Sequence, residues 1–320
     1  MPDQLTLQAI NAIQVGTVLA LSPLIAGVIN RLKAILESKR GPPVLQPYYD
    51  LAKLFKKETV IPERASAFFM LAPFLSFTAY VVISLVIPVV TPYPLPYGIL
   101  LDLLGGALMF GLAGVVGIVA AIDAHTNYTA LGASRSASFS ALAEPTLIMV
   151  FFGVALITGT NNPYVTNNLL ASSFSAYLSP THLLVVAAFF LLLLAETGKL
   201  PVESSGLMEF GMLEDGRTFG HSGRLLGLFR WNGWMKQFLL YSVFVNVFAL
   251  PWGMSDAVSL PGALENIALL LGKLLLVVGV VAGVEATLAK VRLFKIRDFL
   301  ALSFSLAILS IFVFVVVGVP

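Results

Sequence analysis

Long apolar segments alternate along this chain with polar connectors of two unlike kinds. Eight segments are long enough to cross a hydrocarbon core as helices, roughly residues 8–30, 66–90, 99–121, 139–159, 181–198, 236–253, 263–288 and 299–318. Connectors near 91–99, 160–180 and 253–264 carry no Lys or Arg. Those near 31–65, 122–141, 198–236 and 289–298 hold all of the 19 basic residues except Lys273. Basic connectors stay on the cytoplasmic side, so the pattern fixes orientation as well as class. It predicts an all-α integral membrane protein of the cell membrane, a single polytopic domain over 1–320. With an even number of crossings, both termini are expected on the outer side.

Composition agrees. Hydrophobic residues make up 58% and charged residues 11%, against about a quarter charged in soluble domains. The N-terminus lacks the basic start and small-residue cleavage site of a secretory signal, so the first helix is expected to stay. The formal net charge of +2 hides a one-sided distribution, and nucleic-acid binding is not needed to explain it.

The outer connectors, such as Thr91-Pro92-Tyr93-Pro94-Leu95-Pro96 and Asn161-Asn162-Pro163, are rich in turn formers and read as plain links. The first and third inner connectors are too long for that duty alone. In the first, Pro47 opens a short amphipathic helix to Lys57, with Tyr48, Leu51, Leu54 and Phe55 at helical spacing. It reads equally as an interfacial strut and as a docking element. No internal repeat is visible, which argues against a transporter built from inverted halves.

Ionisable residues inside apolar segments need a partner, a wet cavity or a function. Glu144, Glu196 and Glu285 fall on segments of alternating direction, at a similar depth just under the inner surface. A lateral row of carboxyls is geometrically possible, with Arg135, Lys199 and Lys290 as basic neighbours. Such a set suits a proton relay; interfacial glutamates paired with basic residues is the plainer alternative. Lys273 lies near mid-membrane, either as a titrating group linking toward the centre or in a helix-packing ion pair. Without cysteine the chain cannot ligate an iron–sulfur cluster by thiolate. Its three histidines do not stand at metal-ligand spacing, and no phosphate loop or nucleophile elbow is present. No catalytic site of its own is expected.

Four inner-side stretches carry a resemblance. They are Arg40-Gly41-Pro42-Pro43 leading into Gln46-Pro47-Tyr48-Tyr49-Asp50-Leu51-Ala52-Lys53-Leu54; Ala130-Leu131-Gly132-Ala133-Ser134-Arg135 followed by Glu144; Ala195-Glu196-Thr197-Gly198-Lys199-Leu200-Pro201-Val202-Glu203; and Glu285-Ala286-Thr287-Leu288-Ala289-Lys290-Val291-Arg292 running into Phe294 and Asp298. Together they resemble the NuoH-type family of membrane proteins, found in complex I, in membrane-bound [NiFe] hydrogenases and in formate hydrogenlyases. Quinone-reducing members carry an acid-rich run where this chain reads Ser204-Ser205-Gly206-Leu207-Met208-Glu209-Phe210-Gly211, which favours the hydrogenase branch.

The resemblance implies a non-catalytic subunit of an energy-converting, ferredoxin-linked hydrogenase-like complex, docking a peripheral redox arm and passing its free energy to proton or sodium translocation. Alternatives are the equivalent subunit of a sulfur-reducing complex, or a quinone-binding heel of a complex I-like oxidoreductase. It implies a proton path through Glu144, Glu196, Glu203, Glu209 and Arg135, to which depth in the membrane adds Glu285 and Lys273. Arm docking falls to Arg40, Gln46, Asp50, Lys53, Lys57, Arg217, Arg224 and Arg230. The [NiFe] centre and iron–sulfur clusters are expected in cytoplasmic partner subunits. Other membrane subunits, including antiporter-like ones, and lipid are the remaining expected partners.

Overall fold

The computed structural model describes residues 4–98, 102–199, 216–287 and 295–317, and among these every regular element is helical. The helices are α1 (Gln4–Leu36), α2 (Gln46–Lys56), α3 (Ala67–Val86), α4 (Leu103–Asp123), α5 (Asn127–Thr158), α6 (Pro163–Ser172), α7 (Phe174–Tyr177), α8 (Pro180–Glu196), α9 (Gly223–Val243), α10 (Leu260–Thr287) and α11 (Lys295–Val317). Six of them, α1, α3, α4, α5, α10 and α11, are long and apolar enough to cross a membrane. α8 is apolar but only 17 residues long. α9 carries Arg224, Arg230, Lys236 and Gln237 and continues into a π-helical turn, Phe244–Ala249.

Local chemistry sets the ends. Asp102, Thr126 and Ser179 each accept a hydrogen bond from a first-turn N–H of α4, α5 and α8, satisfying donors that a helix start leaves open. Asp123, ending α4, accepts from the N–H groups of Ser66 and Phe69 at 3.1 Å and so seals the start of α3. α5 begins at Asn127, about three turns before the apolar pattern starts. The small residues of 130–143 are compatible with helix, and Thr126 caps them.

α9 packs against α3, α1 and α2 and touches α10 and α8, while α4 packs on both α3 and α5, and α11 packs on α8 and α5. Pro23 inside α1 leaves the Leu19 carbonyl without its intrahelical donor. Trp231 of α9 supplies one, its Nε1 donating at 3.2 Å. Tyr48 of α2 donates its hydroxyl to the neighbouring Ala20 carbonyl. The short helix of the first inner connector is thereby locked to the kink of α1, with Pro47, Leu51 and Leu54 buried beneath it.

The connectors after α3 and α5, expected on the outer side, are more than plain links. Residues 87–91 are buried in irregular, bent backbone after α3. Gln14 Nε2 donates to the carbonyls of Ser84 (2.7 Å) and Ile87 (3.0 Å), and Asn246 of the π turn donates to those of Pro88 (2.8 Å) and Val89 (3.3 Å). The connector after α5 folds into α6 and α7, and Asn167 of α6 in turn donates to the Asn246 and Pro251 carbonyls. Irregular backbone that is buried needs such side chains to satisfy its polar groups.

Candidate functional site

The first half of α5, the end of α8, Lys236 of α9 and the start of α11 meet around a cavity of about 70 Å³, lined by Ser136, Phe139, Ser140, Ala143, Ala195, Glu196, Gly198, Arg217, Lys236, Ile296 and Leu300. That is room for a few water molecules. Glu196, in the last turn of α8, pairs with Lys236 of α9 on its wall, and both side chains are more than four-fifths buried. Glu144 sits one helical step beyond Ala143, and its charge interacts with both Glu196 and Lys236. Its carboxyl rests on α4, where a Cβ at Gly111 would come within 3.1 Å of it. Pro145 follows immediately, so the helix lacks one backbone donor beside this acid.

A second ion pair joins Glu285 of α10 to Lys33 in the last turn of α1. One of the three sequence-derived acids, Glu196, is therefore paired with Lys236, whose charge also acts on Glu144, and the third, Glu285, is held by Lys33. The basic partners expected from sequence were Arg135, Lys199 and Lys290; the cations found on Glu196 and Glu285 are others. Distance along the chain hides both pairs. Lys33 and Glu285 are 252 residues apart, and only the packing of α1 on α10 brings them together.

Arg217, expected at the docking surface, lines the cavity instead, with its Nε buried and lacking a hydrogen-bond partner among the described residues. Gly132 makes room for its backbone: a Cβ there would come within 2.7 Å of the Arg217 backbone N, whereas one at Gly117 would meet the guanidinium at an ordinary 3.7 Å. Arg40, Lys53, Lys57, Arg224 and Arg230 are exposed, as a docking role needs. Gln46 and Asp50 bond to each other across one turn of α2, at 3.0 Å. Arg135 is half-buried on α5. Lys273 lies apart from the row: it is buried in α10 and donates to the Leu250 carbonyl, 2.7 Å away, just past the π turn. Glu203 and Glu209 fall outside the described residues, as does Lys290.

Sequence reasoning missed Lys236, Gln237, Tyr241 and Thr197. Gln237 Nε2 donates to the Tyr241 hydroxyl at 3.2 Å, and the Thr197 hydroxyl lies 3.5 Å from the same oxygen. The signal was present: Gln237 and Tyr241 stand four apart on one face of an otherwise apolar segment, directly after a lysine. Among the described residues no group of three His, Asp or Glu side chains could hold a metal ion.

His221 anchors the end of the third inner connector. Its ring stacks on Phe69 at 3.9 Å and meets Phe229 edge-on, while Ser222 exchanges hydrogen bonds with Val60 of the first inner connector. Burial pushes its pKa down to about 4 from the ordinary 6.5. The neutral ring is the one that fits, so above pH 6.5 this residue adds no pH dependence. As pH falls from 6.5 to about 4 the unfolded chain takes up a proton that the native one refuses, and stability declines. The solubilised assembly should melt at a lower temperature across that window, and His221→Phe should flatten this part of the profile.

The family model described as NADH dehydrogenase matches residues 9–317. Hydrogenase-4 component C of Escherichia coli (strain K12) is 30% identical over 298 residues, 93% of this chain and 92% of that protein. Formate hydrogenlyase subunit 4 of the same organism is 31% identical over 284 residues, 88% of this chain and 90% of that one. A subunit of the NADH-quinone oxidoreductase of Rubrobacter xylanophilus is 31% identical over a shorter stretch, 54% of each chain. A chain of the membrane-bound sulfane sulfur reductase, an archaeal respiratory membrane complex, has the same fold, with a TM-score of 0.77 at 20% identity over 95% of this chain and 99% of that one.

Proposed function

The chain belongs to the NADH dehydrogenase family of NuoH-type membrane subunits, and from that membership we propose that it couples a peripheral, ferredoxin-linked hydrogenase-like arm to ion translocation. The relatives that align along nearly the whole chain are components of hydrogenase-4 and formate hydrogenlyase, and this supports the hydrogenase branch. In this reading α8, and α9 with its π turn, also cross the membrane. Eight crossings then put both termini outside and the basic connectors inside. The exposed bases of α2 and of the start of α9 receive the arm, which carries the nickel–iron centre and iron–sulfur clusters that a chain without cysteine cannot hold by thiolate.

One observation carries the reading: Glu196 is paired with Lys236 on the wall of a polar cavity, and the charges of both act on Glu144 of α5. Carboxyls held close to a single cation in a poorly hydrated site respond strongly to any charge that arrives nearby. An electron reaching the arm, or movement of the third inner connector, would redistribute protons among them and pass that change to neighbouring membrane subunits.

The test is transport against redox. Glu144→Gln in the intact assembly should lower ion uptake into closed vesicles by on the order of 10²-fold, with dye-linked electron transfer retained. Wild-type transport in that variant would remove the relay. Nickel analysis with a hydrogen-evolution assay decides between a hydrogenase and a sulfur- or quinone-reducing partner.

A further inference from the structure

We propose that Arg217 is a positioning residue for the acid row: it holds a fixed positive charge in the cavity of the Glu196–Lys236 pair and carries displacements of the docking surface to that pair. This deepens the coupling function proposed above and rests on it. Two sets of contacts support it, one at the guanidinium and one along the backbone that follows.

Arg217 lines the same cavity as Glu196 and Lys236, so one carboxylate and two cations border a single small space. Its guanidinium lies over α4, where a Cβ at Gly117 would meet it at 3.7 Å and the Phe229 ring at 3.8 Å. Earlier along the same helix, Cβ atoms at Gly111 and Gly114 would meet the Glu144 carboxyl at 3.1 and 3.8 Å. The guanidinium therefore sits along the run of glycines that carries Glu144, nearer the inner end. Its buried Nε has no hydrogen-bond partner among the described residues, and no carboxylate there pairs with it. Arginine keeps its proton, so it acts on the pair by its field and is not a member of the relay.

The backbone from Gly216 to Gly223 is clamped where side chains would not fit. A Cβ on Gly132 of α5 would come within 2.6 Å of the Gly216 carbonyl carbon, and one on Gly220 within 2.8 Å of the Ala124 Cβ. Gly223, at φ +51°, presses against the Glu58 carbonyl, and Ser222 exchanges hydrogen bonds with Val60. These last contacts fall on the first inner connector, next to the exposed base of Lys57. A shift of that connector under a docked arm passes to Gly223 and, through the clamped segment, to Arg217. Moving one unit charge in a poorly hydrated cavity changes the field on the pair strongly.

Four variants of the intact assembly in closed vesicles test this: Arg217→Gln, Arg217→Lys, Gly132→Ala and, as reference, Glu144→Gln. Dye-linked redox activity should persist in all four. Ion uptake should fall on the order of tenfold in Arg217→Gln and stay near wild type in Arg217→Lys, which restores the charge without the fork. Gly132→Ala pushes the Gly216–Arg217 backbone off α5 and should lose a similar amount. Combined with Arg217→Gln it should lose no more, because both act through one charge. If Gly132→Ala fails to assemble, the contrast between Gln and Lys decides alone. With transport lost in Glu144→Gln, three results overturn the role of Arg217: wild-type uptake in Arg217→Gln, equal loss in Arg217→Gln and Arg217→Lys, or multiplied losses in the combination. Wild-type uptake in Glu144→Gln overturns the relay itself.

Discussion

Replacing Lys236 by Met should abolish coupled ion transport and cost the bundle about 3 kcal/mol, the typical penalty for stranding one member of a buried ion pair. Lys236 is the cation Glu196 binds and the one whose charge Glu144 also feels. Without it Glu196 loses its ion-pair partner, and Glu144 feels the like charge of Glu196 uncompensated by the ammonium. Adding Glu196→Gln to Lys236→Met removes the stranded charge, so thermal stability should return toward wild type while transport stays lost. That split separates a coupling role from a structural one. Lys236→Arg sharpens it further. A guanidinium keeps the positive charge but does not release its proton, and its flat fork fits the pocket differently. If Lys236 passes protons, the Arg variant assembles normally and transports poorly; full transport would make Lys236 a fixed counterion only.

How far the sequence discloses this arrangement depends on the distance over which each constraint acts. Membrane class and helical architecture follow from composition and segment length, because hydrocarbon demands apolar helices of a certain reach. Glu144, Glu196 and Glu285 stand out because a carboxyl in an apolar segment is costly wherever the helix packs. Their partners do not stand out. Lys33 reaches Glu285 because α1 packs on α10, and the backbone at Arg217 comes close to α5 because Gly132 has no side chain to bar it. Those facts depend on helix rotation and neighbour choice, which no local pattern encodes. The outer connectors mislead for a related reason. Their prolines do stop helices, but burial of residues 87–91 depends on amides supplied from α1 and the π turn. Lys273 was legible as an expensive residue, and its place beside the Leu250 carbonyl separates it from the row it was expected to extend.

Asn246→Asp should be among the most destabilising near-isosteric changes available in this chain. Asn246 is fully buried, and its amide donates to the Pro88 and Val89 carbonyls, while its own backbone carbonyl accepts from Asn167. One residue on a π turn thus joins the irregular segment after α3 to the helix that follows α5. Aspartate matches its shape but offers carboxyl oxygens where two carbonyls need donors. Each buried group left unsatisfied costs about 1–3 kcal/mol, with no water at hand to substitute. With two acceptors orphaned and a charge pressed against them, the expected loss is about 4 kcal/mol or more. At about 2–4 °C per kcal/mol for a chain of this size, the melting temperature of the solubilised assembly should drop by roughly 10 °C. Asn246→Gln keeps a donor on a longer arm and should fall between the two. If Asn246→Asp melts with the wild type, the amide is not what holds the irregular outer backbone in place, and the π turn must be explained by apolar packing of Phe244 and Phe248 around Phe189 instead.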